Sequence, residues 1–154
     1  MGRVASNLKK AFDLIESRAK ESDFSGEKPD SLISLAEKEI GFSFPKSYRA
    51  FVKKYGCGDI EGLEIYGLIN ERFEHGIPDA VGYTLMERKD FNLDHRYLII
   101  SNSGDGWVYA LDSKSVREDG EYKVVGIYVT KEIEDMAGSF DEFLLSELNI
   151  CLNY

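Results

Sequence analysis

Histidine and cysteine are scarce in this 154-residue chain, which has two of each and a single tryptophan. His75, His95, Cys57 and Cys151 stand apart, without the close spacing of ligands that builds a zinc site. Both histidines are read as surface residues, and neither a metal nor a cofactor is expected. No apolar run approaches the roughly 18 residues of a membrane helix. The N-terminus lacks an apolar stretch before a small-residue cleavage site, so the expected compartment is the cytoplasm, with both thiols reduced and unpaired. Met1–Ser6 fits the M-G-x-x-x-[ST] myristoylation pattern, a motif short enough to be read as a chance match. The G-x-S-x-G nucleophile elbow is also missing. Cys57 follows the C-terminal end of a predicted helix, whose negative pole raises a thiol pKa. No catalytic residues are assigned, and an enzyme is not expected.

A hydrophobic share of 43% with 12% aromatics is sufficient for one packed core, so residues 1–154 are read as a single domain. The net charge of −9 is unevenly spread. Residues 1–54 hold 11 Lys/Arg against 8 Asp/Glu, whereas residues 55–154 hold 8 against 20. An acidic surface repels phosphate backbones and anionic lipids and attracts basic partners, which disfavours direct binding to nucleic acid or a membrane.

The hydrophobic period is helical at first. Val4, Leu8, Ala11, Phe12, Ile15 and Ala19 predict an amphipathic helix over about 4–20. Residues 21–28 read as a polar loop around Gly26. Asp30 or Ser31 is placed as the cap of a second helix with Leu32, Leu35, Ala36 and Ile40 inward, and Gly41 supplies a left-handed stop. Pro45 opens a third helix at its first position; Tyr48, Phe51, Val52 and Tyr55 form its core face, Lys46, Arg49, Lys53 and Lys54 face solvent, and Gly56 ends it.

The period then changes. Leu63–Leu68 reads as a strand and 69–77 has no assignment. Pro78 and Asp79 start a helix to about Lys89, with Val81 and Leu85 inward and Met86 open to either side. Tyr97–Ser101 and Trp107–Leu111 form a hairpin around Asn102–Gly106. Ser113–Glu121 is read as a loop and Tyr122–Val129 as a strand. Ser139 and Glu142 match a capping box before a last helix carrying Phe143, Leu144 and Leu148. Helices, then strands, then a closing helix predict an α+β fold, with N-terminal helices on a twisted, mainly antiparallel sheet.

Two glycine-rich stretches invite functional readings. Gly56, Gly58 and Gly62 have the wrong spacing for a dinucleotide fingerprint, follow a helix, and carry Asp59 and Glu61, which oppose phosphate. Asn102-Ser103-Gly104-Asp105-Gly106 is rich in oxygen but lacks calcium-loop spacing; it reads as a turn. Residues 57–80 are more informative, with Asp59, Glu61, Glu64, Glu71, Glu74 and Asp79 against Arg72 alone. Tyr66 and Phe73 are interleaved with them. A solvated edge and a docking surface for a basic protein both fit this pattern. On the second reading Asp59, Glu61, Glu64, Tyr66, Glu71 and Glu74 are the contact residues, with charge speeding association and aromatics anchoring. Trp107, beside the hairpin turn, fits either that surface or the core.

The run E-K-E-I-G-F-S-F-P-K-S-Y-R-A-F-V-K-K-Y-G over 37–56 resembles the signature of the SUKH superfamily. Its marks here are Gly41, Pro45, Tyr48, Phe51 and Gly56. Glu64-Ile65-Tyr66-Gly67-Leu68 is similar to the family's next strand, and Leu98-Ile99-Ile100 with Gly104-Asp105-Gly106 to its later hairpin. Leu111-Asp112 and Ser139-Phe140-Asp141-Glu142-Phe143 complete the order. Tyr55-Gly56 replaces a common Asn-Gly pair. The resemblance implies an α+β domain without enzymatic activity. It also implies a bacterial immunity protein that binds and neutralises a cognate toxin, often a nuclease. The alternatives are an interaction scaffold, as in fungal cell-wall relatives, and a small-ligand-binding domain. The matched residues Gly41, Pro45, Tyr48, Phe51, Gly56, Gly67, Gly104, Asp105 and Gly106 are structural.

Overall fold

A computed structural model describes residues 2–74 and 76–152. His75 and Met1, with the readings attached to them, lie outside that range. The elements are helix α1 (Arg3–Ser17), strand β1 (Ser22–Phe24), helices α2 (Asp30–Ile40) and α3 (Lys46–Tyr55), strands β2 (Gly58–Ile60) and β3 (Leu63–Ile65), and helix α4 (Ala80–Phe91). Strands β4 (Tyr97–Asn102), β5 (Trp107–Val116), β6 (Tyr122–Tyr128) and β7 (Ile133–Ala137) follow, and helix α5 (Phe140–Cys151) closes the chain. The fold is α+β. Its strands form two antiparallel sheets, β1-β2-β3 and β4-β5-β6-β7. The sheets are tied together where Tyr66 N–H donates to Ile100 O (2.7 Å) and Ser101 Oγ donates to Glu64 O (2.6 Å).

Helix α3 contributes one apolar face to a core shared by the helices and both sheets. Tyr48, Phe51, Val52 and Tyr55 are all buried. Tyr48 and Phe51 stack on Phe140 of α5, at ring separations of 5.1 and 5.6 Å. The Tyr48 hydroxyl donates to Tyr66 O at 2.7 Å, which supplies the polar partner a buried phenol requires. Gly67 is fixed by space, because a Cβ there would lie 1.8 Å from Gly56 O. Gly41 is fixed by conformation, since it closes α2 at φ 95° with open space around it.

Several local expectations are corrected. Leu35 is exposed and Ile33 takes its place in the core, because α2 is turned so that Leu32, Ile33, Ala36 and Ile40 face inward. Pro29 and Pro45 occupy the N-cap positions themselves, with extended backbone, so neither Asp30 nor Ser31 caps α2. Arg49 is half-buried: its Nη2 donates to both Glu37 oxygens (3.0 and 2.9 Å), and Glu37 Oε2 also takes Phe44 N–H (2.7 Å). That carboxylate locks α2, the following turn and α3 together. Ser139 stands at the N-cap of α5, but its side chain makes no capping bond; Glu142 instead accepts Gly138 N–H (3.3 Å) and pairs with Arg117 (2.8 Å). The hairpin around Asn102–Gly106 forms as predicted, with Asn102 Oδ1 accepting Gly104 N–H at 2.7 Å. Strand β5 runs on to Val116, so the following loop is shorter than predicted.

Candidate partner-binding surface

The first sheet positions the acidic residues. β1, β2 and β3 are three residues each, and their registers place Asp23 opposite Asp59 and Asp59 opposite Glu64. Ile60, Leu63 and Ile65 point into the core. Side chains alternate along a strand, so Asp23, Asp59 and Glu64 stand together on the outer face. Like charges directly opposite one another on neighbouring strands destabilise a sheet. Among the described residues, none of the three lies within ion-pair distance of a cation. Partial burial, followed by the nearby Asp59 charge, raises the Glu64 pKa.

The other predicted contact residues are distributed differently. Glu61 occupies the β2–β3 turn at φ 48° and lies 4.0 Å from Arg18. Glu71 and Glu74 are exposed on the loop beyond Leu68, and Glu74 pairs with Arg72 at 3.7 Å. Tyr66 is only 1% exposed, so its expected place as a surface anchor is corrected. Its ring packs edge-on against Tyr83 of α4 at 5.8 Å, and its backbone bridges the sheets. Phe73 is buried as well. Asp79 belongs to the interior, where it caps α4 by accepting Gly82 N–H at 2.9 Å. Burial pushes its carboxyl up to about 6. The sequence therefore yields a compact pair, Asp59 and Glu64, with Glu61 on the turn between their strands and Glu71 and Glu74 on the loop that follows. Asp23 completes the row and was missed, because the loop reading of 21–28 concealed a strand.

Trp107 is half-buried beside the hairpin turn, its ring 4.9 Å from Tyr128. Cys57 is buried, and burial is the first cause of its raised pKa; its Sγ lies 3.5 Å from Ser25 Oγ. Among the described residues no group of three or more His, Cys, Asp or Glu side chains is placed to hold a metal ion. No helix among them is long and apolar enough to cross a membrane.

A groove of about 740 Å³ lies between α4 and the second sheet. Ile99, Val108 and Ile127 form its apolar floor, and Glu87, Asp94 and Lys131 are its charged lining residues. Partial burial, with Asp90 nearby, raises the Glu87 pKa. The sequence reading gave Phe91 and Ile133 no role and placed Val129 only as the end of a strand, although all three line the groove with more than half of their surface exposed. Each is an isolated apolar residue at the end of an element or on a polar strand, so no periodic pattern marks it.

A family model described as SUKH_5, SMI1-KNR4 cell-wall, matches residues 8–149. The match spans nearly every element described above, and the chain belongs to the SUKH family. This family includes toxin-immunity proteins, and its members interact with proteins such as toxins.

Proposed function

We propose that this SUKH-family chain is an immunity protein: it binds a cognate bacterial toxin and neutralises it by occlusion, without catalysis. One observation carries the reading. Three carboxylates, Asp23, Asp59 and Glu64, are held in register on adjacent strands of a small sheet, with no cation among the described residues within ion-pair distance. Such a row costs the free protein stability and acquires value when a positive surface docks on it. A nuclease toxin presents a basic site to nucleic acid, and an acidic protein with net charge −9 complements it.

Occlusion makes few chemical demands. The row steers encounter, and the exposed acids Glu61, Glu71 and Glu74 extend the negative field over the β2–β3 turn and the loop beyond Leu68. The rigid core behind the sheet supplies a backing that does not yield, so substrate is excluded by volume and charge together. The generally non-catalytic character of the family accords with this mechanism. The expected site of action is the cytoplasm of the bacterium that makes the toxin.

The test is co-purification of the tagged protein with the product of its neighbouring gene, joined to a growth assay. Growth arrest by the neighbour alone, rescue on co-expression and a stable complex support immunity. A harmless neighbour and no complex would reject it in favour of an interaction scaffold.

A further inference from the structure

Strand β7 is the outer strand of the second sheet, so among the described residues one side of its backbone has no neighbouring strand. Tyr128 N–H donates to Glu132 O at 2.9 Å, so these two form a hydrogen-bonded pair across the β6–β7 turn. Pairs alternate along an antiparallel ladder. Gly126–Glu134 is then the next bonded pair, and Ile133 and Asp135 direct their N–H and C=O groups away from β6. Such a row of free donors and acceptors is a template for another strand.

The groove adjoins this edge, since Ile133 lines it. Its apolar floor and the exposed Phe91, Val129 and Ile133 offer contact area that a polar rim alone does not explain. Glu87 and Asp94 line the groove against Lys131, and the exposed Glu132 and Glu134 add negative charge along the edge. Asp135 is paired with Lys123 at 3.2 Å. This excess of carboxylates disfavours a second copy of the same edge, which would bring like charges face to face. It favours a cationic occupant.

We propose that the β7 edge and its groove bind an extended segment of a partner protein in which apolar residues alternate with lysine or arginine. Added strands bind through main-chain hydrogen bonds, and pockets for alternate side chains select the sequence. Here the apolar side chains enter the groove over Ile99, Val108 and Ile127, and the alternating cations, on the opposite face of the sheet, meet Glu134 beside its Gly126 partner. This site is separate from the Asp23–Asp59–Glu64 row and does not depend on the toxin reading.

The probe is a synthetic peptide alternating valine with lysine, titrated into the full-length protein and followed by amide chemical shifts and hydrogen exchange. Binding is expected to protect the Ile133 and Asp135 amides and to weaken with salt. Two variants separate its parts. Phe91→Ser removes an exposed apolar wall, and Asp135→Pro removes an outward N–H without touching the main-chain bonds to β6, losing only the exposed ion pair with Lys123. Each is expected to lower affinity about tenfold while leaving the thermal unfolding midpoint near that of the parent. Four results would each overturn the proposal: absence of binding, equal binding by a lysine–serine peptide, unchanged affinity in both variants, or self-association of the protein through β7.

Discussion

Ser47 and Glu121, 74 residues apart in the chain, are joined twice: Ser47 Oγ donates to Glu121 Oε1 at 2.6 Å and Ser47 N–H donates to Oε2 at 3.1 Å. Both residues are buried. A carboxylate from the β5–β6 loop thus satisfies a backbone donor in the first turn of α3, where the helix dipole favours negative charge. Glu121→Ala leaves that N–H and hydroxyl buried without the acceptor and is expected to cost about 2 kcal/mol. Glu121→Gln keeps one acceptor oxygen and is expected to cost about half as much. Urea unfolding of the two variants checks the ranking.

Two family-motif glycines are expected to fail for different reasons. Gly67→Ala forces a Cβ to 1.8 Å from Gly56 O, so the junction between α3 and β3 must shift; a loss of about 3 kcal/mol or more is expected. Gly41→Ala meets open space and pays only for positive φ, about 1 kcal/mol. Thermal unfolding distinguishes the two.

Asp79 predicts a pH dependence of opposite sign to an ordinary surface carboxylate. Its folded pKa is raised from 3.8 to about 6, chiefly by burial, so the fold favours the protonated group. The stabilising contribution is full below the unfolded value and is lost as pH rises through about 6. Asp112, held down by Arg96, and Glu142, held down by Arg117, act oppositely as pH falls. The difference between parent and variant therefore isolates Asp79. Asp79→Asn keeps an acceptor for Gly82 N–H and is expected to gain on the parent as pH rises from about 4 to about 7. Asp79→Ala is expected to show the same relative slope but to be less stable than Asp79→Asn by about 1 kcal/mol throughout, from loss of the cap. Denaturant midpoints across that range provide the check.

Asp59 and Glu64 set stability against recognition. Glu64→Gln is expected to stabilise the free protein by about 0.5 kcal/mol at low salt by relieving cross-strand repulsion. The double reversal Asp59→Lys with Glu64→Lys is expected to slow association with a basic toxin about tenfold at low salt, with the difference shrinking as salt is added. Stopped-flow association and chemical unfolding of the same samples measure both sides.

The helices were legible because each carries an apolar stripe or a capping signal long enough to read, as with Tyr48, Phe51, Val52 and Tyr55, or Asp79 before α4. The β4–β5 hairpin was legible from its apolar strands and glycine turn. β1 and β2 were not, because three-residue strands such as Ser22–Phe24 offer no period to count. β7 escaped because Glu134 and Asp135 give it the composition of a loop. Tyr66 was misplaced because a tyrosine among acids looks exposed in sequence, whereas its neighbours across the fold, Tyr48 and Tyr83, bury it. The carboxylate row needed register, which depends on turns and pairing rather than on residue type. Glu121 likewise finds its partner only through tertiary structure.

Titration of the cognate toxin's activity against this protein tests neutralisation by occlusion most directly. Activity is expected to fall linearly to an endpoint at equimolar protein, unchanged by longer incubation, with intact toxin recovered when the complex is dissociated. Loss of activity at substoichiometric protein that deepens with time, or recovery of a chemically altered toxin, would contradict occlusion and reveal turnover.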